Sequence, residues 1–238
     1  LKVNLLTSKP EVTRVCVDCF SDFTTIPLFI GDREIRIDVC DDCIKKRQQE
    51  SEQNAAAIAL QARQNAFEEM CAPVYRESDL ERIHGDFRQA VEKWEYSPQG
   101  LTLIGPAGSG KTRAAWWLIK KFHFSGKPCF GLTSTTFAEH AANQYHNKVE
   151  QRDLAEQAIH RCKRTKILLL DDLGKSKMTE RAELTLYDLL EHRSSNMLPT
   201  IITSNADGKQ LYKMLSEDRA DPILRRIKDF SEVIKVSK

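Results

Sequence analysis

Gly105, Gly110, Lys111 and Thr112 fill the pattern G-x-x-x-x-G-K-[ST] inside LTLIGPAGSGKT, residues 101–112. The chemistry this spacing suits is capture of a nucleoside triphosphate. Glycines let backbone N–H groups turn toward phosphate oxygens, lysine adds a charge, and a helix opening at Lys111 points its positive end at the anion. Gly105, Pro106, Ala107, Gly108, Ser109, Gly110, Lys111, Thr112 and Arg113 are the expected nucleotide-binding residues. About 60 residues later, Ile167-Leu168-Leu169-Leu170 runs into Asp171 and Asp172. In phosphate-loop ATPases the first such acid holds Mg²⁺ with the loop hydroxyl, and the second positions the attacking water. Asp171 with Thr112 takes the first role and Asp172 the second. Asn205, ending Thr200-Ile201-Ile202-Thr203-Ser204-Asn205, is placed to orient water or sense the γ-phosphate, although Ser-Asn-Ala-Asp-Gly is also an ordinary turn sequence.

A second constellation lies near the start. Cys16 and Cys19, then Cys40 and Cys43, form C-x2-C, twenty residues, C-x2-C, the spacing of a four-thiolate zinc site. Protein would fill all four positions, so zinc here is structural or partner-binding rather than catalytic. Two disulfides are disfavoured in a reducing compartment, and a redox pair does not explain a duplicated knuckle. Cys71, Cys129 and Cys162 are isolated and read as buried thiols. So short a module buries little apolar surface, and the ~10–16 kcal/mol available from structural zinc decides whether it folds.

These residues need elements to hold them. Residues 1–15 carry no pattern and read as a lead-in. After a Gly31-Asp32 turn signal, Ile35, Ile37 and Val39 alternate with polar residues and predict a β-hairpin in a zinc ribbon or treble clef. Residues 44–70 lack Gly and Pro and predict one long helix, a solvated linker without a sustained apolar heptad. Residues 75–95 read as helical surroundings of the next core. Strands are expected at 100–104, 129–132, 167–170, 200–205 and 233–236, all feeding a parallel sheet. Ala114, Trp117, Leu118 and Phe122 follow helical spacing, so the Trp116-Trp117 pair and His123 read as packing. Two helices, 136–144 and 149–162, stand where a minimal crossover needs one; Leu154, Ala155, Ala158, Ile159 and Cys162 form the inner face of the second. Its basic end, around Arg161, either satisfies the helix C-terminus or contacts phosphate. Residues 180–193 are helical, with Ala182, Leu186, Leu189 and Leu190 inward, and Arg225 and Arg226 lie in a last helical stretch.

The chain has 238 residues, 41 % hydrophobic and 29 % charged, with a net charge of +2. Those values fit a folded globular chain and exclude a uniformly basic nucleic-acid coat, so any DNA contact must be local. No run approaches the ~18 apolar residues of a membrane span and no signal peptide is visible, so the expected location is cytoplasmic, with no membrane partner. Three domains are expected: 1–47, a zinc-binding partner-recognition module; 48–71, a helical linker; and 72–238, the ATPase.

With GPAGSGKT, LLLDDLG, TIITSN and ILRRI in this order, the region from about Ala72 to Val236 resembles the AAA+ ATPases. Within them it is similar to the replicative-helicase loaders of the DnaC and DnaI type and to the IstB-type transposition helpers. The resemblance implies a P-loop α/β fold with a parallel five-stranded sheet between helices, and no helical lid follows the last strand. It implies a sensor role for Asn205 and an arginine finger at Arg226 reaching a neighbouring subunit, with Arg225 and Arg219 as contenders. It also implies ATP and Mg²⁺ as cofactors besides Zn²⁺, and a homo-oligomer formed through the ATPase domain. The expected function is that of a bacterial or phage helicase loader, its zinc module on the replicative DNA helicase and Lys175, Lys177 and Arg161 on single-stranded DNA. The alternatives are an IstB-like helper of transposition and an ATP-gated adaptor that does not hydrolyse.

Overall fold

The computed structural model describes residues 11–30, 33–77 and 80–236. It divides into two compact units, Leu1–Ala62 and Arg63–Lys238. The predicted Gly31-Asp32 turn and the lead-in up to residue 10 lie outside the described residues.

In the first unit, strand β1 (Val12–Val15) pairs antiparallel with β2 (Asp22–Thr25), and β3 (Leu28–Ile30) with β4 (Arg33–Ile35). Two sequence expectations change here. Residues 12–15 are a strand rather than lead-in, because pairing with Asp22–Thr25 supplies what the local pattern lacks. The predicted hairpin is present, but its second strand stops at Ile35, leaving Ile37 and Val39 outside it. Helix α1 (Asp41–Met70) begins three residues earlier than expected, with Asp41 and Asp42 in its first turn where acids favour the helix dipole. At 30 residues it is about 45 Å long. Its side chains are mostly exposed until Phe67, as a solvated helix requires.

The second unit begins within α1 and continues through α2 (Pro73–Arg76), a 3₁₀ turn (Leu80–Arg82) and α3 (Gly85–Lys93). Then come β5 (Gly100–Ile104), α4 (Lys111–Phe124), β6 (Cys129–Thr133), α5 (Ser134–Asn143), α6 (Val149–Arg164) and β7 (Ile167–Asp171). The chain goes on with α7 (Glu180–Ser195), β8 (Thr200–Ser204), α8 (Gly208–Met214), α9 (Glu217–Phe230) and β9 (Ser231–Lys235). The five strands are all parallel, in the order β6-β7-β8-β5-β9.

A sheet with helices on both faces buries every strand residue, so its strands read as unbroken apolar runs. β7 shows this directly: Ile167 and Leu169 enter a core with Phe67, Phe87, Trp116 and Ile119, while Leu168 and Leu170 enter the opposite core with Phe137, Leu186, Leu189 and Ile223. Trp116 is buried and meets Phe67 edge-on, as the packing reading requires. Leu154 is a correction: it is 64 % exposed, and the inner face of α6 is Ala155, Ile159 and Cys162. The helix is phased so that its stripe is narrower than the apolar residues available. The turn-like sequence after Ser204 leads into helix α8, whose start carries a reciprocal capping box between Asp207 and Gln210, a legible signal three residues apart.

Candidate nucleotide site and metal centre

The phosphate loop joins the C-terminal end of β5, a central strand, to the start of α4. Gly110 precedes the helix with φ +85°, a conformation costly for other residues, and a Cβ there would stand 2.8 Å from the Arg82 carbonyl oxygen. Gly108 also has positive φ, +81°. Pro106 and Ala107 complete the loop, and Ser109 Oγ donates to the Pro106 carbonyl at 2.7 Å. Lys111 is only 5 % exposed, and its Nζ donates to that same carbonyl at 2.8 Å and to Ser109 Oγ at 3.3 Å. Burial draws its pKa below the usual lysine range, opposed by Asp172 and Asp171. The Arg113 guanidinium donates to the Val74 and Glu77 carbonyls at 3.3 and 3.4 Å and lies over the Tyr75 ring.

At the end of β7, Thr112 Oγ1 donates to Asp171 Oδ1 at 3.0 Å. This fits Mg²⁺: a hydroxyl and a carboxylate at hydrogen-bond distance, beside the loop, are the oxygen donors that ion takes. Burial raises the Asp171 pKa, held back by hydrogen bonds from Thr203 and Thr112. Thr203 is a site residue that the sequence motifs do not single out. Fully buried on β8, it donates to Asp171 Oδ1 at 2.5 Å and accepts the Asp172 N–H at 2.9 Å. The only sequence signal is a hydroxyl within an apolar strand. Asp172 has φ +58°, a strained value for a non-glycine residue, and its carbonyl accepts the Ser134 hydroxyl at 2.7 Å. Asn205 is exposed just past β8, whose Ser204 lies in register with Ile104 before the loop. Gly105, Lys111, Thr112, Asp171, Asp172 and Asn205 therefore share one edge of the sheet.

Other expected residues lie elsewhere. Arg226 pairs with Glu191 of α7 and lines a cleft with Thr200 and Ser231, the first residues of β8 and β9. It is thus at the sheet edge remote from its own phosphate loop. Arg225 is 3.4 Å from Asp229, and Arg219, in the first turn of α9, is 3.9 Å from buried Glu183. The three DNA candidates are also not gathered. Lys175 and Lys177 are exposed after β7, with Lys175 Nζ 3.5 Å from Asp172. Arg161, at the end of α6, stacks 4.2 Å from the Phe130 ring centroid near the starts of the strands, about 16 Å away along β7.

In the first unit, the Sγ atoms of Cys16, Cys19, Cys40 and Cys43 all lie within 4.8 Å of one another. Cys19 and Cys40 are 3.7 Å apart, close to the ~3.8 Å between thiolates around a tetrahedral zinc. The Cys40 N–H reaches Cys16 Sγ at 3.4 Å and, as the largest cause, lowers the Cys16 pKa to about 6, favouring the thiolate a metal needs. The residues fit zinc. The first pair sits on a tight turn and Cys43 in the first turn of α1.

A phosphate loop at the end of a central strand, an acidic pair on its neighbour but one and the parallel order β6-β7-β8-β5-β9 define an AAA+ P-loop architecture. A family model described as IstB-like ATP binding protein matches residues 41–238, and the chain belongs to that family. The replicative helicase loader DnaC of Escherichia coli (strain K12) is 21 % identical over 130 residues, 55 % of this chain and 52 % of that protein. The chain thus spans about half the length of the curated relatives it matches. Among solved structures, AMPPCP-bound DnaA from Aquifex aeolicus superposes with TM-score 0.56 and 16 % identity, covering 69 % of this chain and 51 % of that one. A crystal structure of the DnaC helicase loader superposes with TM-score 0.55 and 18 % identity, covering 69 % and 99 %. Both are likenesses of fold.

Proposed function

We propose that the chain hydrolyses ATP and acts as a loader of a replicative DNA helicase. The observation that carries the ATPase reading is the linked set Thr112–Asp171–Thr203–Asp172 beside the phosphate loop. Loop amides and Lys111 bind the triphosphate, Thr112 and Asp171 are the Mg²⁺ ligands, and Asp172 with Asn205 orients water. Bound Mg²⁺ would neutralise charge on the phosphates. Arg226 serves a neighbouring copy in a homo-oligomer, exchanging Glu191 for the γ-phosphate, while Lys175, Lys177 and Arg161 contact single-stranded DNA. The four-cysteine module, 1–47, binds the helicase and is joined by the helical linker, 48–71, to the ATPase, 72–238, in the cytoplasm. Likeness to DnaC supports this reading. Among the described residues no helix is long and apolar enough to cross a membrane.

The family match favours a second reading, an IstB-like helper whose partner is a transposase. That match starts at residue 41, leaving three of the four zinc ligands outside, so the module is where partner identity would differ. The test uses the full chain with zinc. Capture of purified replicative helicase, lost in Cys19→Ser, supports the loader; capture of a transposase instead supports the helper. ATP turnover abolished by Lys111→Ala tests the catalytic reading separately, and turnover unchanged in that variant would refute it.

A further inference from the structure

Away from the nucleotide edge, a groove of 560 Å³ opens where β6 and β7 begin. Four of its lining side chains are cationic: Arg63 from α1, Lys127 after α4, and Arg161 and Arg164 from the last turn of α6. His123 and His160 join them, and no carboxylate lines the groove. Among the described residues none of the four cations forms an ion pair. Four uncompensated charges around one groove repel one another, so the fold is not stabilised by gathering them.

The ordinary explanation of such cations is that they satisfy helix C-termini. Here that work is done by other groups. The α6 carbonyl of Cys162 and the following one of Thr165 accept from buried Arg193 at 2.8 and 2.9 Å, and Arg161 O accepts the Thr165 N–H at 3.0 Å. At the end of α4, Phe122 O takes Ser125 Oγ at 2.8 Å and Lys127 N–H at 3.0 Å, and His123 O takes Gly126 N–H at 3.0 Å. Two of the four are instead held by aromatic faces: Arg161 over Phe130 at 4.2 Å and Lys127 over Tyr96 at 5.0 Å. They are thereby positioned without being neutralised.

Arg161 also lines a second cleft of 480 Å³, which follows edge strand β6 past Phe130 and Thr133 to Asp171. One side chain thus joins the basic groove to a track running the length of β6, about 16 Å. A compact anion needs only a point of charge, and a small organic ligand needs a mostly apolar pocket. That cleft carries two carboxylates, Glu69 and Asp171, so it is the groove, with four cations spread along it and no carboxylate, that fits an extended polyanion.

We propose that this groove binds the phosphodiester backbone of single-stranded nucleic acid, with Arg63, Lys127, Arg161 and Arg164 as the phosphate contacts. The proposal rests on the reading that the chain contacts single-stranded DNA, and moves the main contact from Lys175 and Lys177 to the opposite sheet edge. Contacts to phosphate carry no base information, so binding is independent of sequence.

The test is fluorescence anisotropy of a labelled oligo-dT probe with the full zinc-loaded chain, over a series of salt concentrations, with and without ATP. Arg161→Ala with Arg164→Ala should weaken binding about tenfold or more and flatten the slope of log affinity against log salt by about 1.4, two single-strand phosphate contacts. Arg161→Lys with Arg164→Lys should keep the wild-type slope, which a loss through misfolding would not. Lys175→Ala with Lys177→Ala should weaken binding by less than the Arg161→Ala with Arg164→Ala pair. If the groove variants keep wild-type affinity while the lysine variants lose it, the groove is overturned and the DNA-binding reading stands. If the wild-type chain binds no probe, both fall.

Discussion

Thr203 is the residue on which the site depends without taking part in its chemistry. Its hydroxyl donates to Asp171 and accepts from the backbone of Asp172, so one side chain sets both acids. Valine has the same shape and neither bond. Thr203→Val should therefore lower ATP turnover about tenfold while leaving binding of a fluorescent nucleotide near wild type, with a stability cost of about 1–3 kcal/mol for the groups left unpaired. Unchanged turnover would remove Thr203 from the mechanism. Two buried thiols give a separate test. Burial pushes Cys129 and Cys162 up to about 12 from 9.0. Below pH 9 their contribution to stability is whole. From pH 9 to 10 the unfolded chain releases these protons and the folded chain keeps them, so stability falls as pH rises, by up to about 1 kcal/mol per pH unit for each thiol. Urea midpoints at pH 8 and 10 should fall less in Cys129→Ala with Cys162→Ala than in wild type.

Helix α7 works at the scale of elements, because three of its buried or half-buried charges tie its neighbours. Glu183, 1 % exposed, accepts the Ser216 N–H at 3.2 Å and hydroxyl at 2.5 Å, capping α9 from another helix. Two turns on, Glu191 holds Arg226 of that same α9. At the end of α7, Arg193 is 1 % exposed and has no carboxylate partner among the described residues. Its guanidinium donates to Thr200 Oγ1, Cys162 O, Thr165 O and Pro199 O at 2.5–2.9 Å, joining α6, α7 and β8. Burial lowers its pKa to about 10, and the partial negative charge at the end of α6 replaces a counter-ion. Arg193→Leu strands three carbonyls and should cost about 3 kcal/mol, read as a lower urea midpoint. Arg193→Lys should not restore it, since an ammonium cannot span the same fork of acceptors. A midpoint unchanged in Arg193→Leu would show the network to be dispensable.

For the whole molecule, the division into Leu1–Ala62 and Arg63–Lys238 predicts separable stabilities. The first unit offers four clustered cysteines and short hairpins with Ile30 and Phe20 exposed at 73 % and 80 %, so a bound metal would be its main source of stability. The second has two apolar cores of its own. Chelation should therefore abolish the first unit's melting transition, seen by calorimetry, while ATP binding persists. One transition lost together with ATP binding would show the units to be coupled.

The phosphate loop, the four-cysteine cluster and the strands of the parallel sheet were legible because each is local: G-x-x-x-x-G-K-T, C-x2-C and LLLDD carry their geometry in spacing. Boundaries agree where the apolar period is strong, as at Ile167–Asp171, and slip where pairing partners are distant, as at Val12–Val15. Leu154 misleads because helical spacing gives a face but not its width. Thr203, Arg193 and the Glu191–Arg226 pair were not legible, since their partners lie 31–35 residues away in the cases of Asp172, Cys162 and Glu191. The sequence by itself determined which chemistry the chain can hold, through residue types at fixed short spacing. Only the tertiary structure decided which charges are used up inside the fold and which, like Arg161 and Arg164, are left facing solvent, because that depends on contacts between elements that no local pattern encodes.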